Sequence, residues 1–250
     1  MSDQHRADMM KEMEIRGLDQ KTIKVYLDSI TRFAAHFTES LDQLELEHLT
    51  NFQRYLLKER KLAPNSVNRY MSGIKFFYMR VLGRHWYSIS IPRVRTPQKI
   101  PTVLSEQEVA DLINATHKVF YKAVIMTTYS GGLRNAEVRN LKVEDIDSKR
   151  MIINVRSGKG KVDGQAQLAK LTLLCLRTYW RLYRLKSDVK SPWLFVASKK
   201  NQGESGGQLS HTALGYILKT ASKTAGIKKK LRRMCLGIRL PYTFLNVART

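Results

Sequence analysis

Hydrophobic residues recur at intervals of three and four positions from about residue 8 to residue 90, and this spacing predicts helices. Asp19 stands where its side chain can cap the first clearly periodic helix. A second helix is predicted from about Leu49 to Glu59, and Pro64 with Asn65 opens a third. The third helix has an apolar stripe that is more typical of a buried core than of a ligand platform, formed by Val67, Tyr70, Ile74, Phe77 and Tyr78.

The positions opposite that stripe carry three basic residues, Arg69, Lys75 and Arg80, in a chain that is strongly basic throughout. There are 44 Lys and Arg residues against 21 acidic residues, which gives a formal net charge of +23. A globular protein with such an excess usually has a polyanionic partner, and nucleic acid is the commonest. The three residues are therefore candidate phosphate contacts, although a ribosomal or membrane-surface protein would also fit the charge.

A proline-containing basic stretch, PRVRTPQKIP, follows the helical part of the chain. Its prolines exclude a buried helix, so it is interpreted as an extended, charged linker. The basic residues of this linker are further candidate DNA contacts: Arg93, Arg95 and Lys99. The predicted organisation is a helical domain (1–92), the linker (93–103), a second domain (104–230) and an aberrant tail (231–250).

The second domain alternates helical and β-type patterns. Ser105 and Glu108 form a capping box that starts a helix. The β-rich stretch Met151–Val155 precedes the turn sequence SGKG and predicts a hairpin. Further predicted elements are a helix at Leu168–Leu185, a short strand at Trp193–Val196 and a helix at Thr212–Ala225. The expected fold class is mainly α with a small β-hairpin or sheet.

Two sequence features bear on cofactors and location. Cys175 and Cys235 are the only cysteines, which argues against a disulfide framework and against a zinc site built from cysteines. There is no apolar run of about 20 residues and no secretion-signal pattern at the beginning. We expect a cytoplasmic protein with no membrane segment and no bound metal.

The stretch from Thr127 to Leu141, TTYSGGLRNAEVRNL, is the most informative for chemistry. Its two glycines allow a sharp turn that places Arg134 at the start of a helix. A guanidinium there can present two parallel donors to a phosphate. Glu137, one turn further on, can hold that guanidinium in orientation. The alternative is a purely structural Arg–Glu pair on a helix surface.

Lys159 lies in SGKGK, at the tip of the predicted hairpin. A lysine held in a glycine turn can reach a DNA groove or protonate a leaving oxygen. The alternative is a solvent-exposed turn lysine, and by itself such a pattern does not decide between the two.

The order of these elements resembles the tyrosine recombinase family, also called phage integrases. TYSGGLRNAEVRNLKVEDID is similar to the first arginine motif of the family, and INVRSGKGKVD to its hairpin lysine. WLFVA is similar to its short strand, and LSHTALGYILKTASKTAGIKK to the helix before its second catalytic motif. The N-terminal helices resemble the core-binding domain, which forms half of a clamp around duplex DNA.

The resemblance implies a reaction without metal or cofactor and without a small-molecule substrate. A tyrosine attacks the scissile phosphate, and the phosphotyrosyl link is later rejoined to another strand. On this basis Arg134 is the first phosphate-binding arginine, Lys159 the acid for the leaving group, and Glu137 a supporting residue. The implied partners are duplex DNA and other recombinase subunits assembled on it.

The segment after Lys230 departs from the family pattern. The family has a second arginine, histidines and then the tyrosine, whereas this chain reads LRRMCLGIRLPYTFLNVART. Tyr242 lies outside any matching context, so no nucleophile is assigned. In a shifted reading frame, with a choice among synonymous codons, Lys230–Thr250 is compatible with VTPHVLRHSFA followed by LHFLERGTD, almost the missing motif. We therefore hypothesise a single-base deletion near the codons of Lys228–Lys230.

Three interpretations remain open at this point. The chain belongs to a DNA recombinase lineage and is inactive as given, or it is a functional non-catalytic protein that binds duplex DNA. A basic helical RNA-binding or structural protein is the third, but it does not account for the ordered GGLR and GKG elements.

Overall fold

The computed structural model describes residues 2–84, 91–97, 103–156, 163–185, 190–197 and 207–229. The chain divides into two compact units, Met1–Lys99 (unit 1) and Ile100–Thr250 (unit 2). The boundary between the two units lies within the predicted linker 93–103.

The described part of unit 1 is helical: α1 Asp3–Ile15, α2 Gln20–Ala34, α3 Leu46–Lys58 and α4 Pro64–Arg80. The predicted cap at Asp19 is confirmed, because its Oδ1 accepts a hydrogen bond of 2.9 Å from the Thr22 amide at the start of α2. Helix α3 begins three residues before the predicted start, and α4 begins at Pro64 as predicted.

The core of unit 1 is built from aromatic and aliphatic side chains of all four helices. Phe33, Phe52, Phe77 and Tyr78 are fully buried, and the rings of Phe33 and Phe52 meet edge to face at 5.0 Å. The Tyr78 hydroxyl donates a hydrogen bond of 2.8 Å to the Leu41 carbonyl. The predicted stripe of α4 is thus confirmed as core, except that Tyr70 is only half-buried.

Helices α2 and α4 lie close together at Gly73. A Cβ atom at this position would lie 2.8 Å from Ser29 Cβ and 3.1 Å from Tyr26 Cα, which is closer than atoms in van der Waals contact. The missing side chain of glycine therefore sets the distance between the two helices.

Unit 2 combines helices with a small sheet. Its helices are α5 Glu106–Asn114, α6 Val119–Ser130, α7 Asn135–Asn140, α8 Lys170–Tyr179 and α9 Ala213–Thr224. The strands β1 Ile146–Asp147, β2 Ile152–Val155 and β3 Gly164–Gln167 form an antiparallel sheet in that order. The predicted hairpin is confirmed as β2 and β3, and the capping box of Ser105 and Glu108 starts α5. The fold class is confirmed as mainly α with a small sheet.

Two predictions in unit 2 need correction. Trp193–Val196 does not form a strand; Trp193 and Val196 make only isolated bridges, to Lys142 and Gln208 respectively. The hydrophobic run predicts a strand, but no segment among the described residues pairs with it continuously. The predicted helix Leu168–Leu185 begins at Lys170, and its last turn, Trp180–Arg184, is a π-helix.

The central element of unit 2 is α6, in which every residue from Ala123 to Thr128 is buried. Residues of the sheet, of α8 and of α9 pack around it, including Ile153, Leu176 and Ile217. Within the described ranges, no helix has the length and apolar character needed to cross a bilayer. The same residues contain no group of three His, Cys, Asp or Glu side chains placed to hold a metal, and Cys175 is a free thiol.

Replacing Gly73 with alanine should destabilise the protein. Overpacking lowers the free energy of unfolding by about 1–3 kcal/mol, and the better helix propensity of alanine offsets about 1 kcal/mol of this loss. We expect a net loss of up to about 2 kcal/mol in the free energy of unfolding, measured by urea denaturation followed by circular dichroism. Ser72→Ala, at the exposed neighbouring position of α4, should change it by less than about 0.5 kcal/mol. Equal effects of the two substitutions would contradict the close approach.

Candidate nucleic-acid interface

A two-glycine turn connects α6 to α7 and positions Arg134. Gly132 has a positive φ of 59°, a conformation that favours glycine, and the Leu133 amide donates to the Thr128 carbonyl at 3.0 Å. A Cβ at Gly131 would lie 2.9 Å from the Cγ of the buried Leu133. The turn thus folds Leu133 into the core and leaves the next residue, Arg134, at the surface as the N-cap of α7.

Glu137 binds both ends of Arg134. Its Oε2 accepts a hydrogen bond of 2.7 Å from the Arg134 backbone amide, and its Oε1 accepts one of 2.6 Å from the Arg134 guanidinium. The Glu137 side chain is only 9% exposed, whereas that of Arg134 is 62% exposed. The predicted orienting contact between these two residues is therefore present. The nearly buried carboxylate of Glu137 thus fixes the orientation of the exposed Arg134 guanidinium.

Helix α7 is also tied to the segment that precedes α9. Arg139 Nε donates to the Leu209 carbonyl at 2.6 Å, and its Nη2 donates to Gln208 Oε1 at 3.2 Å. Asn135 Nδ2 donates to the His211 carbonyl at 3.3 Å. Arg139 was not singled out in the sequence, and its distant backbone partners leave no local pattern by which it could have been found.

Asp145 binds Arg156, the residue that follows β2 at the loop end of the β2–β3 hairpin. This carboxylate is 1% exposed and accepts hydrogen bonds from the Lys142 amide at 2.8 Å and from Arg156 Nε at 2.6 Å. The hydrogen bond that Arg156 donates to Asp145 raises the pKa of the Arg156 guanidinium. The last paired residues of the hairpin are Val155 and Gly164. Lys159 falls between them, outside the described residues, so its predicted role stays a prediction.

The basic residues predicted on α4 are all exposed, but they do not form one stripe. At about 100° per residue, Arg69 and Arg80 lie on nearly the same side of the helix, and Lys75 lies about 120° away from Arg69. Arg69 borders a shallow cavity of about 290 Å³ on the side of α2, together with Lys24 and Asp28. The three residues can therefore contact a ligand only from two sides of α4.

The structure describes only some of the basic residues of the predicted linker. Arg93 and Arg95 are exposed in the segment 91–97, which has no regular secondary structure. Lys99 lies outside the described residues, and so does the predicted aberrant tail, residues 231–250.

Family models match both units of the chain. The phage integrase N-terminal SAM-like domain matches residues 6–88, and the phage integrase family domain matches residues 102–235. A protein of Sinorhizobium fredii with the provisional name integrase/recombinase y4qK is 33% identical over 225 residues, which is 90% of this chain and 70% of that relative. Tyrosine recombinase XerA of Pyrococcus furiosus is 28% identical, over 89% of this chain and 76% of its own length.

Solved structures agree with these matches. A lambda integrase tetramer bound to a Holliday junction has a TM-score of 0.69 over 94% of this chain and 70% of its own chain, at 13% identity. At this identity the likeness concerns the fold alone, whereas the matches of the family models and of the relatives concern the sequence. The chain belongs to the phage integrase, or tyrosine recombinase, family.

Proposed function

We propose that this chain binds duplex DNA and that Arg134 contacts a backbone phosphate. The observation that carries the proposal is the exposed guanidinium fixed by the nearly buried Glu137. Among the described residues, no hydrogen bond is made by Arg134 Nε or Nη2, so these donors can face two phosphate oxygens. The net charge of +23 and the fold shared with a DNA-bound integrase support DNA as the partner.

The remaining roles follow from the family pattern. Lys159 would protonate the leaving oxygen of a cleaved strand, and Glu137 would keep Arg134 in orientation. Further phosphate contacts would come from Arg69, Lys75, Arg80, Arg93, Arg95 and Lys99. Other recombinase subunits would bind to the same DNA, and the cytoplasmic location predicted from the sequence fits a partner of this kind.

We further propose that the chain as given cleaves no DNA strand. The segment 231–250 stands where the family has its second arginine and histidine motif and does not carry it. Without these groups, the charge that develops on the phosphate during attack is neutralised by fewer donors. The same observation favours the second candidate function, a non-catalytic protein that occupies duplex DNA.

Arg134→Ala should weaken DNA binding. Loss of one phosphate contact should lower the slope of log K against log salt concentration by about 1. The measurement is a salt series of fluorescence anisotropy titrations with a short duplex of random sequence. Arg150→Ala is the control, because the Arg150 side chain is 78% exposed and its nearest acidic group is 3.9 Å away. If both variants bind with the wild-type slope, Arg134 is not a phosphate contact.

Glu137→Gln should weaken the same binding by less than Arg134→Ala does. Glutamine has one side-chain acceptor, so it cannot accept from both the backbone amide and the guanidinium of Arg134. We expect about a two- to fivefold loss of affinity in the same titration. Glu144→Gln changes an exposed partner of Arg156 and should have no comparable effect. An unchanged affinity in Glu137→Gln would show that orientation of Arg134 by the carboxylate is dispensable.

Cleavage is tested with the coding DNA and a matched variant. The codons of Lys228–Lys230 should permit the shifted reading, and insertion of one base there should restore the motif. The restored frame must also continue to a tyrosine, which is the nucleophile of the adduct. Nicked duplexes that trap a covalent adduct should then label this repaired chain and not the unrepaired chain. A covalent adduct formed by the chain as given would overturn the proposed inactivity, and codons that exclude the shifted reading would overturn the frameshift.

A further inference from the structure

Two nearly buried amide side chains in unit 1 are hydrogen-bonded to the backbone of the segment 91–97. Asn68 of α4 donates from Nδ2 to the Val94 carbonyl and accepts from the Val94 amide at Oδ1, both at 2.9 Å. Gln53 of α3 donates from Nε2 to the Pro92 carbonyl at 2.9 Å. Both side chains belong to residues that are 8% exposed. The segment is therefore attached to two helices through buried polar groups that need these partners.

The direction of the side chains along this segment follows from the same contacts. Val94 packs against the core of unit 1. The two neighbours of Val94, Arg93 and Arg95, are both exposed, so their side chains lie away from that core. Thr96 continues the attachment with a hydrogen bond of 3.1 Å to Asn65 Oδ1.

We propose that Asn68 is a positioning residue that holds Arg93 and Arg95 as a preformed pair of phosphate contacts. The proposal rests on the proposed function, since it requires duplex DNA as the ligand. A free basic linker would lose backbone freedom when it binds, whereas this segment is ordered when the protein folds. The arginines next to Val94 thus act as part of the surface of unit 1 and not as a flexible tether.

The first test is a double-mutant cycle on DNA affinity in the full chain, with a short duplex of random sequence. We expect Asn68→Ala to weaken binding about five- to tenfold, with the salt slope unchanged because no charge is lost. Arg93→Ala combined with Arg95→Ala should weaken binding more and lower the slope by about 2. Adding Asn68→Ala to that pair should cost less than about twofold further.

Tyr78→Phe is the matched control for the cycle. It removes a buried hydrogen bond of the same unit, to Leu41, without touching the segment. We expect its effect on affinity to be the same with and without the two arginines. The proposal is overturned if the triple variant loses as much DNA affinity as the product of the losses in Asn68→Ala and in the double arginine variant. In that case Asn68 supports only the fold. If Asn68→Ala does not fold, Gln53→Ala replaces it in the cycle, with a smaller expected coupling.

The second test needs no DNA. Trypsin must pair with the backbone around its cleavage site, and the amide and carbonyl of Val94 are occupied by Asn68. We expect cleavage after Arg93 and Arg95, identified by mass spectrometry, to be about tenfold faster in Asn68→Ala, as local opening becomes easier. Tyr78→Phe should leave it unchanged. Equal cleavage of the wild type and of Asn68→Ala would overturn the proposal. A wild-type chain that binds no duplex would overturn the proposed function instead, and would leave the trypsin difference intact.

Discussion

The candidate site depends on the hydrogen bonds that Glu137 makes to Arg134. One carboxylate oxygen accepts from the backbone amide and the other from the guanidinium, so both ends of the residue are fixed. An exposed arginine side chain without this contact would sample many rotamers, and its ordering would oppose binding. Helix α7 has only six residues and is too short to be stable alone. Its contacts through Glu137 and Arg139 therefore stabilise the site and the helix together.

The same arrangement recurs at two other places. Asp145 is buried and binds the half-exposed Arg156, which follows strand β2. Asn68 is buried and binds the backbone between Arg93 and Arg95. In each case a polar group inside the protein fixes a cation, or the backbone that carries it, at the surface. The chain has a net charge of +23, so its cations repel one another. Folding nevertheless already fixes the positions of these cations.

Family membership and the capacity to cleave DNA are separate properties of this chain. Membership follows from family models that match both units and from relatives that align along most of the chain. Cleavage needs donors on several sides of one phosphate and an attacking hydroxyl. Among the described residues, the oriented guanidinium of Arg134 is a candidate for one of these donors. Lys159, predicted from the sequence as another, lies outside the described residues. Binding of duplex DNA requires less, because it depends mainly on the placement of cations.

Local chemistry in the sequence determined the helices, their caps and the glycine turn before Arg134, because these features depend on residues within about four positions of one another. Tertiary structure decided which residues that are distant in the sequence contact each other. Asn68 meets Val94 across 26 positions, and Arg139 meets Leu209 across 70. The run Trp193–Val196 has the composition of a strand but has no continuous partner in the part of the chain that the structure describes. Such partners exist only after the chain has folded, so no local pattern of residues could reveal them.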